Sequence, residues 1–150
     1  YEFFMPLSNK DHLELFQENL EGLVNVSYGN SQEVLKLSKL SIMTSGTATL
    51  ESILSFTPCI ALYRTSWLSY FMIKPLLQID SFSLPNLITG KRILPELLQA
   101  DVTIDNIIAS VEAVTEKDFE TFLEEFNHIK ENLRAGGADK ASQEILQLLN

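Results

Sequence analysis

Ser45 and Thr47 set hydroxyl groups on either side of Gly46, and Glu51 follows about one helical turn further on, in the stretch Thr44-Ser45-Gly46-Thr47-Ala48-Thr49-Leu50-Glu51. Lys39-Leu40-Ser41-Ile42-Met43 precedes it as a short apolar and small run that reads as a strand. Leu50, Ile53, Leu54 and Phe56 follow at the three-to-four spacing of one helix face. The motif is therefore a strand-to-helix turn. The first N–H groups of such a helix have no partner within it and the peptide dipoles place partial positive charge there, so an anionic oxygen is a natural ligand for Gly46, Thr47 and Ala48. Gly46 would let a phosphate approach the main chain without a Cβ in its way. Ser45 and Thr47 offer hydroxyl donors, or one of them caps the helix. Glu51 offers an acceptor for the hydroxyls of a sugar or ribose. The same residues also fit an ordinary helix cap with Glu51 as a surface residue.

Further chemistry-bearing residues lie downstream. Pro58 to Leu62 reads as a strand that runs out into Tyr63-Arg64-Thr65-Ser66, where Arg64 either meets a phosphate or ties the loop. In Asp80-Ser81-Phe82-Ser83-Leu84-Pro85-Asn86-Leu87-Ile88-Thr89-Gly90-Lys91, Pro85 disfavours a helical conformation for its predecessor. Asn86 carries an amide that suits a uracil edge, a sugar hydroxyl or the backbone of its own turn. Gly90-Lys91-Arg92 is too short for a P-loop. Cys59 is the one cysteine, so no disulfide forms within the chain, and its apolar neighbours mark it as buried and inert in a reducing compartment.

The elements that would position these groups alternate. Tyr1 to Pro6 reads as a strand that begins without a methionine or a leader, as expected of a fragment of a longer protein. Ser8 or Asn9 caps a helix with Leu13, Phe16 and Leu20 on one side, and His12 lies in its first turn as a surface residue. Gly22 ends it, Leu23 to Tyr28 alternates as a strand, and Ser31 is placed to cap a short helix through Leu37. Three such units in succession predict an α/β fold, a parallel sheet wrapped by helices, with ligands at the carboxyl ends of its strands.

Trp67 to Leu77 predicts a helix apolar on nearly every face, to be buried, joined to another chain or laid against lipid. Pro95 to Gln99 predicts a short helix. Ile104, Ile107, Ile108, Val111 and Val114 predict an amphipathic one, followed by helices over 118–133 and 138–149.

At 150 residues the chain fits one domain, with 45% apolar and 21% charged residues, as in soluble globular proteins. A net charge of -9 argues against a nucleic-acid partner, whose phosphate backbone calls for a basic face.

Taken jointly, Thr44 to Glu51, Tyr63-Arg64 and Ser83-Leu84-Pro85-Asn86-Leu87-Ile88-Thr89-Gly90 resemble the C-terminal half of the lipid-A-disaccharide synthase family, and Leu97-Leu98-Gln99 and the closing helices follow in that family's order. The resemblance covers nearly the whole chain. It implies a Rossmann-like parallel sheet flanked by helices, the C-terminal UDP-sugar-binding domain of a GT-B glycosyltransferase over 1–150, with a helical tail from about residue 103. It also implies an inverting hexosyltransferase that moves 2,3-diacylglucosamine from UDP-2,3-diacylglucosamine to 2,3-diacylglucosamine 1-phosphate, with no metal or other cofactor. The implied setting is peripheral, on the cytoplasmic face of the inner membrane, with homodimers in some members. Ser45, Gly46, Thr47, Ala48, Glu51, Arg64 and Asn86 would line the UDP-sugar site. The general base and acceptor site belong to the family's N-terminal half, so the 150 residues alone are expected to be inactive. Two other UDP-sugar enzymes share the Ser-Gly turn and helix glutamate: the N-acetylglucosaminyltransferase of peptidoglycan synthesis and UDP-N-acetylglucosamine 2-epimerase. Neither is expected to carry Ser83 to Asn86. A non-catalytic flavodoxin-like module would instead show an acidic pocket at the first strand ends.

Overall fold

The computed structural model describes residues 1–44, 46–66, 81–117, 119–135, 142 and 145–147. The chain divides into two compact units, residues 1–39 and 40–150. The first contains β1 (Phe4–Leu7), a 3-10 turn (Lys10–His12), α1 (Leu13–Asn19), β2 (Asn25–Tyr28) and α2 (Ser31–Leu37). β1 and β2 pair in parallel, with Phe4 opposite Asn25 and Leu7 opposite Tyr28. Asn9 caps as expected, its side chain accepting the Asp11 N–H at 2.9 Å. At α2 the cap differs from expectation: Asn30 holds the N-cap position and makes no side-chain capping bond, so Ser31 is already helical. The Ser27 hydroxyl donates to Asn30 Oδ1 at 2.7 Å, which draws that oxygen toward β2 instead. Two strands and two short helices cannot enclose an interior by themselves. No described side chain of this unit is fully buried.

The second unit runs β3 (Ser41–Thr44), α3 (Thr47–Leu54), β4 (Cys59–Tyr63), α4 (Leu84–Thr89), β5 (Glu96–Leu98), a 3-10 turn (Gln99–Asp101), α5 (Ile104–Glu116) and α6 (Phe119–Ala135). The strands lie in the order β3-β4-β5, all parallel, with Thr44 opposite Leu62 and Tyr63 opposite Leu98. β4 is central, and Cys59, Ile60 and Ala61 are successively buried, as required of a parallel strand covered on both faces. α6 sends Phe122, Phe126 and Ile129 into the core at the i, i+4, i+7 spacing, where they pack with Ile53, Ile93 and Leu94. Removing each such side chain from water contributes about 2 kcal/mol. The predicted class, parallel sheets flanked by helices, is the one that forms, and all three strands of this unit end on one edge.

Several predicted elements take another form. Pro95 to Gln99 is not a helix. Ala61 N–H donates to Pro95 O at 2.9 Å and residues 96–98 join β4, so sheet pairing overrides the helical preference of Glu-Leu-Leu. The predicted turn around Pro85 is instead α4, with Pro85 in the first helical turn, where its missing N–H would have no helical partner anyway. In α5 the inward face is narrower than expected. Val114 is buried and Ile107 and Val111 are partly so, whereas Ile104 is 77% exposed and Ile108 51%. The apolar helix expected over 67–77 lies outside the described residues, as does most of the helix expected over 138–149. Among the described residues no helix is long and apolar enough to cross a membrane.

Cys59 is fully buried. Burial pushes its thiol from 9.0 up to about 12, and a hydrogen bond with Ser52 offsets part of the rise. Because the pKa is higher folded than unfolded, the unfolded chain releases a proton above pH 9.0 that the folded chain keeps, so stability falls between 9.0 and about 12. A thiol reagent at pH 8 is expected to leave native Cys59 unmodified over hours and to label it at once in denaturant. Labelling at equal rates in both states would show that the β4 interior is open.

Candidate functional site

Gly46 adopts φ 153° and ψ −159°, a region that only glycine enters without strain. A Cβ built there would meet nothing within 4 Å among the described residues, so glycine is required by the backbone angles rather than by crowding. The corner is held from beneath by a residue that the sequence reading did not single out. Thr49 is fully buried, its hydroxyl donates to Gly46 O at 2.7 Å, and its N–H donates to the same oxygen at 3.1 Å. A hydroxyl three residues after the glycine was the available signal. With Gly46 O so anchored, Thr47 and Ala48 are exposed and open α3, where their N–H groups have no intrahelical partner.

α3 is seated by hydroxyls more than by the expected apolar stripe. Ser52 Oγ donates to Thr57 O, and Ser41 Oγ and Ser52 Oγ lie 3.1 Å apart. Thr49, Ser52 and Ile53 therefore face inward, and Leu54, expected on the buried face, is 45% exposed. The helix ends in a Schellman arrangement, with Thr57 N–H donating to Ser52 O at 3.0 Å and Phe56 N–H to Ile53 O at 2.9 Å. Phe56 takes the left-handed conformation, φ 58°, that such an end demands, and is thus not part of the helix. Thr47 and Glu51 are both exposed and stand four residues apart on one face of α3. Ser45 lies outside the described residues.

The parallel register carries neighbouring residues to the same edge. Thr44 is opposite Leu62, so Arg64, the first residue beyond β4, emerges on the edge where β3 ends. Arg64 is exposed. Tyr63 stacks obliquely on Phe82, with ring centroids 5.8 Å apart. Among the described residues no three His, Cys, Asp or Glu side chains gather to hold a metal.

Asn86, which the resemblance puts in the UDP-sugar site, lies inside the protein. It is 1% exposed and its amide is fully engaged inside the protein. Nδ2 donates to Leu94 O at 3.0 Å and to Glu96 Oε1 at 2.8 Å, while Oδ1 accepts from Ile93 N–H at 2.9 Å and Leu94 N–H at 3.0 Å. The side chain clamps the segment before β5 to α4 and has no capacity left to face a ligand. Glu96, on which the sequence reading placed no role, completes the clamp: its carboxylate accepts the N–H groups of Ser83 at 2.8 Å and Phe82 at 3.3 Å, ahead of α4. Only the conversion of residues 96–98 into a strand brings Glu96 there, so its role had no signal in a sequence read as a helix.

Hollows elsewhere are less suited to an anion. One of about 640 Å³ in the first unit is lined by Glu14, Glu18, Glu21 and neighbours, whose carboxylates repel a phosphate. Another of about 210 Å³ lies between Thr89, Lys91, Ile93, Glu124, Glu125 and His128. Neither includes Gly46 or Arg64.

The profile of the lipid-A-disaccharide synthetase family matches residues 1–146. Among curated relatives, a lipid-A-disaccharide synthase of Idiomarina loihiensis is 38% identical over 81% of this chain and 32% of its own length. That of Psychromonas ingrahamii is 30% identical over 100% of this chain and 41% of its own length. That of Alcanivorax borkumensis is 30% identical over 99% and 40%. The chain thus spans between about a third and two fifths of the length of the relatives it matches. With the match running through the Gly46 corner, Arg64 and the Asn86 clamp alike, the chain belongs to the lipid-A-disaccharide synthase family.

Proposed function

We propose that this chain is the donor-nucleotide half of a GT-B glycosyltransferase of lipid A synthesis. The reaction transfers 2,3-diacylglucosamine from UDP-2,3-diacylglucosamine to 2,3-diacylglucosamine 1-phosphate with inversion, and releases UDP. The observation that carries this reading is the Gly46 turn, after which the exposed residues Thr47 and Ala48 open α3 at the carboxyl edge of the sheet.

As the glycosidic bond to UDP breaks, negative charge grows on the diphosphate, and donors already oriented toward it stabilise that charge at no reorganisation cost. Thr47 and Ala48 N–H, the hydroxyls of Ser45 and Thr47, and the Arg64 guanidinium supply those donors, without a metal. Glu51, exposed on the same face of α3 as Thr47, accepts from ribose or sugar hydroxyls. Asn86 acts through position alone, by holding α4 against β5. The acceptor site and general base belong to the other half of the enzyme, which works at the cytoplasmic face of the inner membrane, so the 150 residues alone form no disaccharide.

Calorimetric titration of the full-length protein with UDP and UMP tests this reading. UDP is expected to bind about tenfold more tightly than UMP, the difference expected for one additional charge-assisted set of hydrogen bonds. Glu51→Ala is expected to weaken both nucleotides by a similar factor, since it acts on the nucleoside side. No measurable UDP binding by the wild type would end the proposal.

A further inference from the structure

Gln99 is the first residue after β5, and it sits at φ 51°, a left-handed conformation that glutamine rarely enters. Its side-chain amide is engaged at both ends by one residue of the neighbouring loop. Thr65 N–H donates to Gln99 Oε1 at 2.9 Å, and Gln99 Nε2 donates to Thr65 O at 3.2 Å. Both main-chain groups of Thr65 thus bond toward β5, as both groups of a paired strand residue bond to its neighbouring strand, here through a side chain. The main chain of β5 turns away at Gln99 into a 3-10 turn, and the amide continues the ladder in its place. Thr65 is therefore held two residues beyond the last backbone pair, Tyr63 opposite Leu98.

The register gives this clamp a setting. With Thr44 opposite Leu62 and Tyr63 opposite Leu98, β3, β4 and β5 end on one edge, and Gly46, Arg64 and Gln99 each follow within two residues of a strand end there. Gly46 and Gln99 both hold backbone angles uncommon for most residues. Gln99, a non-glycine residue, thus holds a strained backbone conformation at the end of β5, on the edge where Thr47 and Ala48 are exposed, and strain of this kind clusters at pre-organised ligand sites. Arg64 lies between them, exposed, on the one loop that Gln99 holds by both backbone groups of Thr65.

We infer that Gln99 is a positioning residue, which fixes the Arg64–Ser66 loop so that the Arg64 guanidinium is held over the anion-binding amides of Thr47 and Ala48. The inference rests on the nucleotide-site reading above and deepens it, since it assigns the second phosphate of a nucleoside diphosphate to Arg64 and makes that contact depend on Gln99. On this inference the clamp acts on the phosphate side alone, with no role assigned to it at the nucleoside.

The test is a double-mutant cycle on the full-length protein, with UDP and uridine as calorimetric probes and thermal melting as a control. Gln99→Leu is expected to weaken UDP about tenfold, the loss of one ordered charge-assisted contact, and to leave uridine within about twofold. Arg64→Ala is expected to show the same pattern. On the Arg64→Ala background, adding Gln99→Leu is expected to change UDP affinity by less than about twofold, because the cation it positions is gone. A merely structural role for Gln99 would weaken UDP and uridine alike, or would add its full tenfold to Arg64→Ala, and either result overturns the inference. UDP binding by the wild type without this coupling removes the inference alone. Absence of UDP binding by the wild type removes the nucleotide-site reading and the inference together.

Discussion

Asn86→Ala is expected to lower the stability of the protein by about 4 kcal/mol, because it strips a buried clamp of four hydrogen bonds and takes from the Leu94 N–H and C=O the partners that Asn86 gave them. The Glu96 carboxylate would lose one of the donors that draw it to α4. Asn86→Asp is the sharper variant. It keeps an acceptor for the two N–H groups but sets a carboxylate against Glu96, 2.8 Å from where the amide donor stood, so at neutral pH it is expected to cost at least as much as alanine. Combining it with Glu96→Gln replaces that repulsion by an amide that can donate, and about half of the lost stability is expected to return. Urea denaturation of the three variants measures these losses. A side chain that contacted UDP directly would give the opposite pattern: near-wild-type melting, lost nucleotide binding and no rescue by Glu96→Gln.

Gly46→Ala is expected to weaken UDP by about a hundredfold while costing only about 1–3 kcal/mol of stability, the range for holding a non-glycine residue in a sparsely populated region. Among the described residues a Cβ there meets nothing within 4 Å, so crowding by them does not drive the effect. The driving force is the angle itself. At φ 153° an alanine relaxes toward an ordinary region, which rotates the peptide joining residues 46 and 47 and turns its N–H away from the ligand. The Thr49 anchor on Gly46 O resists that rotation, so the strain is shared between the corner and the first turn of α3. Calorimetry with UDP alongside thermal melting separates the two effects. Unchanged UDP affinity in a folded Gly46→Ala protein would show that these amides do not grip the diphosphate.

The two variants act at opposite ends of one arrangement. The amide corner and the Arg64 loop lie on the edge where β3 and β4 end, and the Asn86–Glu96 clamp fixes the segment through which the chain enters β5. A parallel sheet separates the two because all its strands begin on one edge and end on the other, whatever the order in which the chain visits them.

Much of this was legible in the sequence because it depends on local rules. Period and punctuation marked β1 to β4 and α1 to α3, and a glycine between hydroxyl residues at a strand-to-helix turn marked the amide corner. The apolar surroundings of Cys59 marked it as buried, and the paired motifs placed the chain in its family. What tertiary structure decided lies where long-range pairing outweighed local preference. Residues 96–98 became a strand because β4 offered a ladder to Pro95 and beyond, which no property of Glu-Leu-Leu foretells. That one change brought Glu96 to Asn86 and turned a side chain expected to face a ligand into a buried clamp. It also brought Gln99 to Thr65, 34 residues away in sequence. Residue type announces which groups can donate or accept, but the sheet register decides which of them meet, because a hydrogen bond is formed by distance in space and sequence fixes that distance only for near neighbours.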